Sequence, residues 1–147
     1  MDKTLRALAD RAEITDLMDR YLLSLDERKF DESWARSMFT EDVRSETPVG
    51  NQEGREQVMA GTRVAIERFE RTQHVGANYV IDLDGDRATV RANAIMTHLN
   101  PAGRAPGTRF VVGGTVDSQL ARTSAGWRFQ RMAMRPVWTT GEPAVIA

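Results

Sequence analysis

The sequence has no cysteine, and it has only two histidines and two tyrosines among its 147 residues. Without thiols, disulfides, thiolate metal sites and cysteine nucleophiles are excluded. Charge of one sign is missing too. The 20 Lys and Arg against 21 Asp and Glu leave a formal charge of −1, both signs spread along the chain. That leaves no electrostatic footprint for nucleic acid or an anionic membrane. No apolar run approaches the roughly 20 residues of a membrane-spanning helix. The opening Met1-Asp2-Lys3-Thr4-Leu5-Arg6 is charged and lacks the apolar segment of a signal peptide. His74 and His98 lie too far apart for a short His-x-His or His-x3-His metal pattern, so no metal is expected. Gly113-Gly114 sits inside a β run with no helix behind it, which excludes a phosphate loop. The expectation is one soluble, cytoplasmic domain over residues 1–147, of a size that buries a core without staples.

What is present divides at Thr72. Before it the apolar residues keep a helical period. From Ile14 they recur at Leu17, Met18, Tyr21, Leu22 and Leu25, one face of a helix predicted near 4–27. Asp31 is a predicted N-cap for a second helix over 31–39, where Phe30, Trp34 and Met38 recur every fourth residue. Residues 43–47 read as a short strand stopped by Pro48, and 49–53 as a loop. A third helix is predicted over 54–70, burying Val58, Thr62, Ala65, Ile66 and Phe69. After Thr72 the period becomes alternating, with β runs near 73–83, 87–99, 108–122 and 127–138. The turns fall at Asp84-Gly85-Asp86, at Asn100 to Gly103 with Pro106-Gly107, and at Ser124-Ala125-Gly126. Helices followed by a meander predict an α+β fold, with helices laid on one face of a curved antiparallel sheet.

Histidine is the natural group for proton transfer near neutral pH, which makes His74 the first candidate for chemistry. Strict alternation places His74, Gly76 and Asn78 on a polar inner face and Val75, Ala77, Tyr79, Ile81 and Leu83 outside. A three-residue hairpin loop at Leu83-Asp84-Gly85 sets His74 opposite Ala94 and adds Val90, Ala92, Met96 and His98 to the inner face. A two-residue loop at Gly85-Asp86 would set Thr97 opposite His74. On the last strand Trp127, Phe129, Arg131 and Ala133 form one row. Met132 and Met134, with Trp138, are assigned to a face packed on a second subunit. Asp26 stands at the inner edge of the first helix, at the end where the macrodipole disfavours an acid. From there it can accept the Nδ1–H of His74, holding the tautomer and raising the basicity of Nε2.

These residues carry a resemblance that covers nearly the whole chain. The marks are Arg11 to Leu17 with Tyr21 and Asp26, then Thr72-Gln73-His74 with Asn78, and the Asp84-Gly85-Asp86 hairpin. Gly126-Trp127-Arg128 and Trp138 to Gly141 complete the set. The chain resembles the SnoaL-like group of the NTF2-like superfamily, related to scytalone dehydratase and hexachlorocyclohexane dehydrochlorinase. The resemblance implies a cone of curved sheet and three helices around one deep pocket, and cofactor-free chemistry. It implies that His74, paired with Asp26, removes a proton from carbon, while Arg131 assists where the leaving group departs. Tyr21 stands where the dehydrochlorinase has a lysine, which suits an oxygenated substrate and dehydration. Asn78, His98, Met96, Phe129 and Trp34 are the expected substrate contacts.

The function expected is a dehydratase acting on a hydroxylated cyclic or polyketide-like molecule. An isomerase or aldol-type cyclase using the same base is the alternative, as is a binding domain without turnover. The expected partners are a small, hydrophobic, oxygenated substrate and a second copy of the chain, with no nucleic acid or membrane. The apolar Val75, Tyr79, Ile81 and Ile95, read as facing outward, suggest the homodimer.

Overall fold

The structure, a computed structural model, describes residues 2–103 and 108–143. Helix α1 runs from Lys3 to Glu27, α2 from Glu32 to Met38 and α3 from Arg55 to Glu67. Strands β1 (Phe39–Thr47), β2 (Gly50–Glu53), β3 (Arg71–Asp84), β4 (Arg87–Leu99), β5 (Arg109–Thr123) and β6 (Gly126–Thr140) form one sheet in the order β2-β1-β6-β5-β4-β3. All neighbours are antiparallel except β1 and β6, which run parallel. The predicted α+β cone is therefore a curved, unclosed mixed sheet carrying three helices. Residues 50–53, expected as loop, form an edge strand on β1. Their Gly-Asn-Gln-Glu sequence has no β propensity, and pairing alone holds them. The Pro106-Gly107 part of the expected loop lies outside the described residues.

Each helix begins where its chemistry allows. The Asp31 side chain accepts from the Trp34 amide at 2.8 Å, as predicted, and Asp2 does the same for Thr4. The buried stripe of α1 is Ile14, Leu17, Met18 and Leu25, continued on the cavity side by Tyr21 and Leu22. Its N-terminal half is tied to the far strands by polar contacts that periodicity does not show. Arg122 donates two bonds to Asp10, at 2.6 and 2.8 Å, and lies over the Trp127 ring at 4.6 Å. Trp127 Nε1 donates to Asp10, and the Trp127 amide to Glu13. The Arg122 guanidinium holds the Asp10 carboxyl below the usual carboxylate range despite its burial.

Three β-bulges in β3 and β6 decide which side chains face inward; the last, opposite Gly113-Gly114 with Val137 extra, returns Trp138 to the outer face. The β3–β4 hairpin closes with the two-residue loop Gly85-Asp86, so that Asp84 pairs with Arg87 and Gln73 with Thr97. Gly85 at φ +59 occupies the first loop position, where a positive φ suits glycine. The three-residue loop is thus corrected, and His74 lies opposite Met96 rather than Ala94. A bulge between Ala77 and Val80, with Asn78 at φ +61, inserts one residue and reverses the alternation. Ile81 is consequently buried, and Tyr79 and Leu83 pack on the core, instead of pointing outward. The second bulge lies between Gln119 and Leu120, which pair with Arg131 and Phe129 and leave Gln130 extra. It reverses β6, so Met132 and Met134 turn to the cavity instead of to a second subunit.

Gly76, read from sequence as part of a roomy face, marks a close approach. A Cβ there would meet Leu22 Cδ1 at 2.5 Å and the Tyr79 hydroxyl at 2.6 Å. That is where α1 crosses β3.

Candidate active site

Between α1, α3 and the concave face of the sheet lies a cavity of about 430 Å³. Its wall is mainly apolar, with Tyr21, Phe69, Phe110 and Phe129 and the methionines 18, 96, 132 and 134. His74, His98, Ser118 and Arg68 add polar atoms. An apolar cavity with a few convergent polar groups is the usual form of a small-molecule site.

Asp26 and His74 meet as the sequence suggested. His74 Nδ1 lies 2.7 Å from Asp26 Oδ1, and the same carboxylate accepts from the His74 amide and the Thr72 hydroxyl, each at 2.9 Å. Three donors thus offset the unfavourable position of an acid at a helix C-terminus. The arrangement needs the proton on Nδ1, which leaves Nε2 as the basic atom. Burial pushes the His74 imidazole below its usual 6.5, and the bond and charge of Asp26 oppose this only in part. The ring is therefore neutral at pH 7 with a free lone pair, the state a general base needs.

His98 stands beside it, the two rings edge-on with centroids 5.7 Å apart. Its Nδ1 donates to the Phe110 carbonyl at 2.9 Å, again leaving Nε2 unprotonated. Burial is the main force lowering its pKa, opposed by the bond to Phe110, and the Arg68 charge adds to the lowering. Phe69 and Phe110 hold this ring, at 4.5 and 5.5 Å. Tyr21 lies between Phe39 and Phe129, and burial lifts its phenol to about 12, so it remains a neutral donor. Its hydroxyl has no hydrogen-bond partner among the described residues. The buried Ser118 Oγ likewise has none.

Three expected contacts lie elsewhere. Arg131 is not among the cavity-lining residues. The Gln130 bulge turns it to the other face, where it grips both carboxylate oxygens of Glu46 at 3.0 and 2.8 Å. Asn78 is exposed and accepts from Asn93, because the bulge it occupies carries it out of the inner row. Trp34 is core: it packs edge-on against Phe30 and Phe39, and its Nε1 donates to Ser24. Met96 and Phe129 do line the cavity. Ser118 and Arg68 escaped the sequence reading. Ser118 lies on the buried row of β5, a slot hidden by the irregular β6. Arg68 falls three residues after Ala65, at the margin of the α3 stripe, the same kind of position that drew attention to Asp26. Among the described residues no group of three or more His, Asp or Glu side chains is placed to hold a metal ion, and no helix is long and apolar enough to cross a membrane.

A curved sheet with three helices over a cavity is the fold also seen in an NTF2-like superfamily protein of Salmonella enterica, at 21% identity and a TM-score of 0.79, covering 92% of this chain and 96% of the other. The chain belongs to the SnoaL-like family, whose domain model matches residues 6–133. Among solved structures it is similar to a proposed scytalone dehydratase from Novosphingobium aromaticivorans, at 23% identity and a TM-score of 0.84, covering 98% of this chain and 95% of the other. It is similar to the type 2 hexachlorocyclohexane dehydrochlorinase LinA at 18% identity and a TM-score of 0.84, covering 97% and 95%. The Kfla4162 protein of Kribbella flavida shares 26% identity at a TM-score of 0.84, over 91% and 95%. No protein of curated function matches the sequence.

Proposed function

We propose that this protein is a cofactor-free lyase, a dehydratase of hydroxylated cyclic or polyketide-like molecules. The observation that carries the reading is His74 on the wall of an apolar cavity, held from behind by Asp26. A histidine of purely structural use would bond to backbone away from any cavity. In the reaction, His74 Nε2 takes a proton from the carbon α to a carbonyl, and Asp26 supports the imidazolium that forms. The Tyr21 hydroxyl donates to the oxygen where enolate charge grows. The neutral His98 Nε2 orients the departing hydroxyl by accepting a hydrogen bond from it; as the C–O bond breaks, the oxygen receives from His74 the proton taken from carbon and leaves as water. The net change is loss of one water and gain of one double bond. The similarity to a proposed scytalone dehydratase agrees with this reading. Mass spectrometry of a turned-over substrate tests it: a product lighter by one water supports it, and an unchanged mass favours the isomerase or cyclase alternative.

The basicity of the pair can be measured without a substrate. With only two histidines in the chain, their ring resonances are easily followed by NMR. The His74 midpoint should fall below the usual 6.5, because burial outweighs Asp26. In Asp26→Asn the supporting charge is gone and burial remains, so the midpoint should move lower still. A His74 midpoint above 6.5 would contradict this electrostatic account. By linkage, stability is full above 6.5 and declines as pH falls toward the folded midpoint, since the unfolded chain binds protons first.

The expected second copy of the chain has a corrected surface. Tyr79 and Ile81 are inside, but Val75, Ile95, Gly113 and Trp138 form one continuous row across four strands of the outer face. Val75, Ile95 and Trp138 are about half exposed. This row supports a homodimer through the outer face. Sedimentation at micromolar concentration should show a species of twice the 16.5 kDa chain mass; the single-chain mass alone would count against it.

A further inference from the structure

Besides its histidines the cavity is bordered by two ionisable residues, Glu46 and Arg68. The Glu46 carboxylate is turned to the opposite face, where Arg131 holds both its oxygens. Arg68 is different. It follows the last residue of α3, its guanidinium lies 4.9 Å from the centre of the Phe69 ring, and its side chain forms no hydrogen bond or ion pair with any described residue. Its Nε is buried and unsatisfied. Arg28 and Arg55 also leave one buried nitrogen without a partner, Nη2 and Nε, but each is anchored by a bond to a backbone carbonyl, that of Phe69 or Phe39, as Arg63 is to that of Phe30; the Arg68 guanidinium has no such anchor. A buried donor without a partner costs free energy and calls for an explanation, and a ligand oxygen is one.

The neighbourhood says where such a ligand would sit. Phe69 contacts both Arg68 and His98, and His98 stands beside His74. The field of Arg68 is felt at His98. Guanidinium, aromatic ring and imidazole thus follow one another along one end of the cavity. A planar guanidinium fixed on an aromatic face presents its donors in the geometry that carboxylates accept. We propose that Arg68 is the anion anchor of this cavity, and that the molecule bound there is a cyclic compound bearing a carboxylate. One uncompensated positive charge in an apolar cavity balances one negative charge, which suits a carboxylate better than a doubly charged phosphate ester. The anchored group would fix the ring's distance from the His74 base. The inference names a substrate class for the proposed dehydratase, and rests on that reading only for the chemistry that follows binding.

Binding of 2-naphthoate and of 2-naphthamide, of nearly the same shape but uncharged, tests the anchor. Neither has a hydroxyl to lose, so the measurement does not depend on turnover. Calorimetry at pH 8, where both imidazoles are neutral, should show the carboxylate bound at least tenfold more tightly than the amide. Arg68→Gln should weaken the carboxylate about tenfold and leave the amide unchanged, as expected for one lost charge-assisted contact. Arg68→Lys should retain part of the preference. Circular dichroism on each variant guards against unfolding. His74→Ala should keep the preference even if it loses all turnover, so the anchor and the base are tested separately. Equal affinities in the wild type would overturn the proposal. So would naphthoate binding that Arg68→Gln leaves intact and that weakens as the histidines lose their protons.

Discussion

His74→Ala should abolish turnover while the fold stays intact. If His74 moves the proton, His98 is a poor replacement: its Nε2 is also unprotonated, but its Nδ1 rests on the Phe110 carbonyl and no carboxylate of the described residues bonds to it to support the charge it would gain, while Asp26 does not line the cavity. Losing a positioned general base costs on the order of 10²–10⁴ in rate. Asp26→Asn should be severe but less complete, because Asp26 orients the ring and supports its charge without touching substrate. That variant also weakens the bonds from the Thr72 hydroxyl and the His74 amide, so some of its loss will come from a displaced ring. Circular dichroism on both variants separates lost chemistry from lost structure. Wild-type turnover in His74→Ala would show that the base is misassigned.

The largest effect on stability is expected at Trp127. It is 1% exposed, stacks under Arg122, and gives both its backbone and indole N–H groups to carboxylates of α1. Trp127→Ala removes a large buried side chain and leaves a void, which typically costs about 4 kcal/mol. For a chain of this length that lowers Tm by roughly 10 °C. Trp127→Phe keeps most of the volume but loses the indole donor to Asp10, and should cost about 1–2 kcal/mol. Thermal or urea unfolding of the two variants separates packing from the polar contact. Equal losses would show that volume is irrelevant there, against this account.

The helices were legible because each buries one stripe, and a stripe survives as a period in the sequence. Asp26 was legible for the opposite reason: a carboxylate at the inner edge of a helix end is locally unfavourable, and a partner had to make up for it. The strands were legible as strands but not in their facing. Alternation is a count of twos, and one extra residue reverses everything after it. Asn78 and Gln130 each supply that extra residue, and neither differs in kind from its neighbours. Strict alternation therefore puts Tyr79 and Ile81 outside and Arg131 inside, the reverse of where the bulges place them. Arg68 and Ser118 were invisible for another reason. Their importance lies in bonds they do not make, and an unmade bond leaves no pattern in a sequence.

The bulge at Asn78 also divides β3 into two stretches with separate tasks. Residues 71–77 hold the imidazole and its supporting threonine, while 79–84 brace α1 through the Tyr79 hydroxyl on Asp19 and the Ile81 carbonyl on Arg11. The two stretches meet where the Tyr79 hydroxyl lies over Gly76, so a side chain added at 76 would press on the brace as well as on the cavity. The smallest residue of the strand is thus the joint between the part that holds the base and the part that holds the helix.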